Sequence, residues 1–320
     1  MENKAPDISI ITALLNEEES LSELTEWADK VLNQAGLSYE FIMIDDGSTD
    51  DSWKKICELS ERYPVKGVRF RRNYGKSAAL YCGFEMAAGD VVVTMDADLQ
   101  DSPDEIPELY KMVMENGFDL VSGWKKKRYD SKLAKNLPSK IYNATAKMVT
   151  GIKLHDMNCG LKAYRNEVVK NIEVYGEMHR YIPYLAKVAG FGKIGEKVVI
   201  HRARKYGSSK FGINRFINGF LDLISLWFLA KFGKKPMHFF GLAGTLSFIL
   251  GFITTVIIIA QKIITQYNGL NYRPVTDQPL FYISLVTLII GMQLFLTGFV
   301  AELVTRNSSE RNNYKIRDKI

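Results

Sequence analysis

Short apolar runs ending in polar or acidic residues punctuate the first hundred positions. Residues 7–14, 40–44, 65–70 and 91–95 are rich in Ile and Val and too short for buried helices, so they read as buried strands. The stretches between them have helical length. Asn16-Glu17-Glu18-Glu19 puts acids where a helix N-terminus favours them and opens a helix to about residue 35. Ser48 or Asp50 can cap a second helix to about residue 62, and residues 77–88 form a third. Strands alternating with helices at this spacing predict an α/β domain with a doubly wound, mainly parallel sheet and polar loops along one edge. Residues 103–116 follow as a helix capped by Ser102 with Pro103 at its first position. Residues 119–123 and 193–199 read as strands, and 137–150 as a helix.

The pattern changes near residue 213. Residues 213–232 are rich in Phe, Leu and Ile, with Arg215, Asp222 and Lys231 as their charges. They read as an amphipathic helix lying in a membrane interface, the alternative being a core helix. Residues 237–260 are apolar and long enough to span a hydrocarbon core, and 279–300, with Gln293 inside, form a second such run. Lys231, Lys234 and Lys235 precede the first run, and Arg306, Arg311, Lys315, Arg317 and Lys319 follow the second. The intervening loop holds only Lys262 and Arg273. This asymmetry predicts a two-helix hairpin in the inner, cytoplasmic membrane, with both ends cytoplasmic and the loop outside. The expected divisions are a cytoplasmic domain over 1–212, an interfacial helix over 213–236, a transmembrane hairpin over 237–304 and a basic cytoplasmic tail over 305–320. Gly241, Gly244, Gly251, Gly291 and Gly298 would let helices pack closely, within the hairpin or in a homo-oligomer.

Composition narrows the function classes. The chain has 320 residues, 47% hydrophobic, with net charge +6, which suits one sizeable domain plus a smaller part. Residues 1–6 are polar, so no secretory leader is expected. Cys57, Cys82 and Cys159 form no zinc-type or redox pair, in keeping with a reducing compartment. No His-Glu-x-x-His, Gly-x-Ser-x-Gly or P-loop motif is present. The basic residues cluster beside apolar helices, which points to membrane lipid head groups and away from nucleic acid.

The chemistry gathers at strand ends. Asp96-Ala97-Asp98-Leu99-Gln100 directly follows residues 91–95 and offers hard oxygens suited to Mg²⁺ or Mn²⁺, ions that commonly bridge to substrate phosphates. An isolated Asp-x-Asp also reads as a polar turn. Asp45-Asp46-Gly47-Ser48-Thr49-Asp50 ends the second strand. After the third comes Arg71-Arg72-Asn73-Tyr74-Gly75-Lys76-Ser77, in which Gly75 permits a tight backbone and Lys76 can reach an anion. Lys125-Lys126-Lys127-Arg128 is a basic loop that alone also reads as a solvated charge run.

In this fixed order the motifs resemble family 2 glycosyltransferases. Asp156-x-x-Cys159-Gly160, Arg204-x-x-Gly207-x-Ser209-Lys210 and the two apolar spans resemble the narrower polyprenyl-phosphate glycosyltransferase group, such as bactoprenol glucosyltransferase, with dolichyl-phosphate mannose synthase more distant. Ala13 and Leu15 stand where the family often has Pro and Tyr, and Gly123-Trp124-Lys125 replaces the usual Gly-Ser-Arg. The resemblance implies a GT-A-type nucleotide-sugar-binding domain that transfers a hexose, with inversion, from a UDP-sugar such as UDP-glucose to undecaprenyl phosphate. It implies donor contacts from Ala13, Leu15, Glu17, Asp45 or Asp46, Lys76, Asp96 and Ala97. It places the metal, Mg²⁺ or Mn²⁺, on Asp96, Asp98 and Gln100, and phosphate or acceptor contacts on Lys125, Arg128, Ser139, Arg204 and Lys210. Asp98 and Asp156 would be the catalytic carboxylates, Asp156 as base, as an orienter of a sugar hydroxyl, or in a structural role. A saccharide or glycolipid acceptor, a processive polysaccharide synthase and a membrane-tethered sugar-nucleotide sensor are the competing readings. The synthases' Gln-x-x-Arg-Trp motif is absent.

Overall fold

The computed structural model describes residues 5–126, 151–176, 178–203, 205–206, 228, 232, 235–271 and 273–307. The chain divides into two compact units, Met1–Leu223 and Ile224–Ile320. The helices expected over 137–150 and 213–232 lie almost entirely outside the described residues.

Among the described residues, the first unit is built on one seven-stranded sheet. Its strands are β1 (Ile8–Leu14), β2 (Tyr39–Asp45), β3 (Val65–Arg69), β4 (Val91–Thr94), β5 (Leu120–Trp124), β6 (Lys162–Arg165) and β7 (Ile194–Val198). Their order is β3-β2-β1-β4-β6-β5-β7. β1 pairs in parallel with β2 and with β4, and β2 with β3, so the first four strands form the expected parallel half. β6 is the reversed strand: Lys162 faces Thr94 across one antiparallel ladder and Ser122 across the other. β7 returns to parallel pairing with β5.

Successive strand residues point to opposite faces, so two apolar layers form. On one face Ile8, Ile10, Phe41 and Val93 pack against α1 (Leu21–Ala35) and α4 (Ile106–Met114) through Leu24, Leu32 and Leu109. On the other, Ile11, Ile42, Val92 and Tyr164 meet α3 (Lys76–Met86), α5 (Asn166–Lys170) and α6 (Ile182–Val188) through Ala79, Phe84, Val168 and Ala186. α2 (Ser52–Ser60) covers the β3 side with Ile56 and Leu59. Truncating a fully buried member such as Phe41 to Ala would cost about 3–5 kcal/mol.

Two local expectations are corrected. α1 starts at Leu21 and not at residue 16, because Asn16 adopts a left-handed φ of 55° and residues 18–20 turn before the helix. Ser102 does not cap a regular helix. Its hydroxyl donates to Asp104 Oδ2 at 2.8 Å, and a 3₁₀ turn, Pro103–Glu105, precedes α4. β6 was not anticipated at all.

The second unit is a pair of long helices, α7 (Pro236–Tyr267) and α8 (Pro279–Asn307). Both are long and apolar enough to cross a membrane. They meet backbone to backbone: a β-carbon on Gly244 would lie 2.6 Å from Phe295 N, and one on Gly251 2.7 Å from Leu288 N. Thr255 Oγ1 donates to Ser284 Oγ at 3.0 Å across the same seam. Leu242, Leu246, Leu250, Ile257, Ile283 and Val304 stay exposed, an outward apolar surface of the kind lipid covers.

Candidate active site

In a sheet of this kind ligands bind beyond the carboxyl ends of the strands, where the strand order changes direction. Here the order turns between β1, which leads on to β2 and β3, and β4 on its other side. β5 ends at the same edge, and reversed β6 begins there.

The β1 and β2 ends are laced together. Ala13 and Leu15 are half-buried at the end of β1. The Asn16 N–H donates to Ser48 Oγ at 2.9 Å, and Asn16 Oδ1 accepts the N–H of Thr49 at 2.8 Å. The Glu17 N–H donates to Ser52 Oγ at 3.0 Å. Asp45 is fully buried: its Oδ1 accepts the Ser48 N–H at 2.7 Å, and Arg69 Nε lies 3.3 Å from Oδ2. Asp46 accepts the N–H groups of Tyr74 at 2.7 Å and Gly75 at 2.9 Å, one on each oxygen. Both carboxylates that the sequence offers to a base are therefore also braces. Asp45 closes its own turn, and Asp46 fastens the end of β2 to the loop that presents Lys76.

Gly75, at φ +93°, turns that loop into α3, whose first residue is Lys76. The Lys76 ammonium donates to Asp96 Oδ1. Burial works against ionisation of Asp96, but Lys76, Lys125 and Lys162 outweigh it and hold the carboxyl well below the usual carboxylate range. Ala97 and Asp98 are buried, and Leu99 takes a left-handed φ of 58°. That turn brings the Gln100 N–H to Asp98 Oδ1 at 3.2 Å. Gln100 Nε2 donates to Arg202 O at 3.4 Å, and the Arg202 N–H to Gln100 O at 2.9 Å. The segment leading to Arg204 thus runs beside the Asp96–Gln100 turn. Arg204, Lys210, Arg128 and Ser139 lie outside the described residues.

Lys125 is mostly buried, with Nζ 2.7 Å from Asp101 Oδ1. Burial lowers its pKa, but Asp101, Cys159 and Asp96 raise it further, so it stays a cation at any physiological pH. Asp156 is buried just ahead of β6; its Oδ1 accepts the Asn158 N–H at 3.1 Å. Two neighbours here escaped the sequence reading. Lys162 is buried under the edge, donates to Cys159 O, and has its pKa pushed down by burial. Glu196, on β7, accepts the N–H groups of both His155 and Asp156. Glu196, a charged residue in the middle of a predicted strand, carried a weak signal; Lys162 carried none, because its strand was not anticipated.

The edge therefore sets Asp96 among Lys76, Lys125 and Lys162, with Asp98 buried beside it and Asp101 paired to Lys125, and the three cations suit a diphosphate. Among the described residues no three His, Cys, Asp or Glu side chains converge on one metal position. That fits a site in which Asp96 and Asp98 supply two hard oxygens, and phosphate and water supply the rest of the shell. Asp96 Oδ1 already holds a cation, the Lys76 ammonium, which shows that the position accepts positive charge.

Residues 9–173 match the family model "Glycosyl transferase family 2". The chain is 34% identical over 94% of its length, and 88% of the relative's, to a dodecaprenyl-phosphate galacturonate synthase from Rhizobium johnstonii. It is also 34% identical, over 97% of its length and 92% of the relative's, to an undecaprenyl-phosphate 4-deoxy-4-formamido-L-arabinose transferase from Shewanella sediminis. Among solved structures it shares the fold of a glucosyl-3-phosphoglycerate synthase from Mycobacterium tuberculosis in complex with Mn²⁺ and UDP-glucose. The TM-score is 0.52 at 21% identity, covering 70% of this chain and 79% of that one. A sheet that turns at the Asp-x-Asp strand, a cation-rich edge and kinship along almost the whole chain agree: this is a glycosyltransferase of family 2, in its polyprenyl-phosphate glycosyltransferase group.

Proposed function

We propose that the protein transfers a hexose from a UDP-sugar to a polyprenyl phosphate, undecaprenyl phosphate, at the cytoplasmic face of the membrane, with inversion at the anomeric carbon. The product would be a lipid-linked sugar for modifying cell-envelope glycans. The observation that carries this reading is Asp96 set among Lys76, Lys125 and Lys162 at the switch-point edge, beside buried Asp98, in a chain that continues into two outwardly apolar helices. The relatives' names give the acceptor class and two sugars, galacturonate and formamido-arabinose. Glucose remains our first candidate.

A divalent ion held by Asp96, Asp98 and Gln100 would act as a Lewis acid toward the diphosphate leaving group. The chain's own residues do the rest. Ala13, Leu15, Glu17 and the Asp45–Asp46 turn line the nucleotide end, and Ala97 packs beneath the diphosphate. Lys76 leaves Asp96 for a phosphate oxygen once donor enters. Lys125, Arg128, Ser139, Arg204 and Lys210 hold donor and acceptor phosphates, where Arg offers bidentate contact. The second pKa of a phosphate monoester is about 6, so the attacking oxygen is already mostly ionised at neutral pH. Asp156 then has the task of orienting the sugar and acceptor, and base catalysis is not obligatory.

The test is transfer of radiolabelled sugar from a panel of nucleotide sugars to undecaprenyl phosphate in proteoliposomes, with hydrolysis to water followed in parallel. We expect lipid-linked product from one UDP-sugar. Transfer to soluble saccharides and none to lipid phosphate would overturn the acceptor. Arg204→Ala is expected to raise the KM for undecaprenyl phosphate or cut kcat sharply, with Arg204→Lys a partial rescue.

A further inference from the structure

We infer that Glu196 is a positioning residue for Asp156, and that a Glu196–His155–Trp124 clamp fixes the acceptor-side wall of the site; this rests on the functional reading of Asp156 above. Glu196 stands on β7, at the far edge of the sheet from β3, and its side chain is only 13% exposed. Its Oε1 accepts two successive backbone N–H groups, from His155 at 2.8 Å and Asp156 at 3.1 Å. Its Oε2 lies 2.6 Å from His155 Nδ1. One carboxylate thereby holds the two successive amides that flank His155 and lead into Asp156.

The imidazole is held from a second side. The His155 ring stacks on Trp124, with centroids 4.1 Å apart and planes 14° from parallel. Trp124 ends β5, directly before Lys125, and β5 is parallel to β7 in register, with Trp124 opposite Val198. The clamp therefore joins two neighbouring strands to the turn that precedes β6. Asp156 is further restrained by its own turn, where Oδ1 accepts the Asn158 N–H, and by Ser122 Oγ, 3.5 Å from its carbonyl oxygen. With backbone and side chain both fixed, the remaining freedom of the Asp156 carboxylate is small. A charge-assisted acceptor on two adjacent N–H groups is stronger than a neutral one. A misplacement of about 1 Å at a reacting group can cost about a hundredfold in rate.

A brace that served the fold alone would make a different set of predictions, so the test compares three substitutions in the full-length protein in proteoliposomes. Glu196→Gln keeps a carbonyl oxygen for the two N–H groups. It is expected to keep kcat within about threefold of the parent. Glu196→Asp withdraws the acceptor by one methylene and should lower kcat about tenfold. Glu196→Leu removes it and should lower kcat about a hundredfold. In all three the KM for the nucleotide sugar should stay within about twofold, because the donor end is built on β1, β2 and β4. If Glu196→Leu does not fold, the contrast between Asp and Gln decides alone. Parent-like kcat in Glu196→Asp, or losses in which donor KM and melting temperature move together with kcat, overturns the inference. Asp156→Asn is measured beside them. An active Asp156→Asn removes the functional reading of Asp156, whereas an inactive Asp156→Asn with a fully active Glu196→Leu removes only the role of Glu196.

Discussion

Gly160 lies where Asp96 needs room: a β-carbon at Gly160 would stand 2.5 Å from Asp96 Oδ2 and 2.8 Å from its Cγ. The two residues come from adjacent antiparallel strands, just beyond the pair Thr94 and Lys162. We predict that Gly160→Ala pushes the Asp96 carboxylate outward, weakens Mn²⁺ binding and lowers kcat about a hundredfold. The melting temperature should shift little, since Asp96 is partly exposed and can move. Mn²⁺ titration by electron paramagnetic resonance and transfer assays check this; parent-like metal affinity would contradict it.

Asp98→Asn retains shape and loses one charge. Transfer should collapse by at least two orders of magnitude while far-UV circular dichroism stays that of the parent. Near-normal turnover with unchanged Mn²⁺ dependence would take Asp98 out of the metal site.

The distribution of Lys and Arg predicts which side each hydrophilic segment occupies. A cysteine placed at Asn268, just after α7, should react with an impermeant thiol reagent in whole cells. A cysteine at Asn312 should react only after lysis. Native Cys57 is exposed in the first unit and serves as the internal control, since it too should label only after lysis. Equal labelling of positions 268 and 312 in intact cells would rule out the hairpin.

Glu40 ties three parts of the first unit together. It accepts from Ser9 Oγ at 2.6 Å, the Ala88 N–H at 2.8 Å and Lys66 Nζ at 2.6 Å. Burial raises its pKa, but Lys66, Ser9 and Ala88 outweigh that, and the folded value lies below the ordinary 4.5. The unfolded chain then binds the extra proton first, so this stabilisation is full above about pH 4.5 and is lost as pH falls through the folded value. Glu40→Gln should lower stability at pH 7 by about 1–3 kcal/mol. Its melting temperature should also fall less steeply than the parent's below pH 4.5. Parallel acid profiles for the two proteins would show that Glu40 is not the linked group.

Much of the parallel half was readable because each strand is a short stretch of apolar residues followed by a polar loop, with carboxylates directly after β2 and close after β4. Its pattern is local, so the Asp96–Asp98 turn and Lys76 could be placed on one edge before any coordinates. β6 was not readable. Lys162-Ala163-Tyr164-Arg165 is four residues long and has charged ends; burial of Lys162 depends on the carbonyl of Cys159 and on its neighbours across two ladders. The bracing role of Asp46 was hidden for a similar reason: its partners, Tyr74 and Gly75, lie far along the chain. Asn16 misled by composition, since three glutamates after it resemble a helix start while its own left-handed backbone delays the helix to Leu21.

The reversal of β6 has a consequence for how the chain matures on the ribosome. β1 to β4 can zip into a parallel unit as soon as they emerge, but this leaves the outer edge of β4 with unpaired backbone groups, an aggregation-prone state. That edge is satisfied only when Lys162–Arg165 arrives, and the residues immediately ahead of that strand are Asp156 to Leu161. Closing the sheet and bringing Gly160 against Asp96 are therefore a single event. A nascent chain protected at β4 is one in which Gly160 already faces Asp96, and any intermediate that lacks β6 still exposes a pairing edge of the kind chaperones bind.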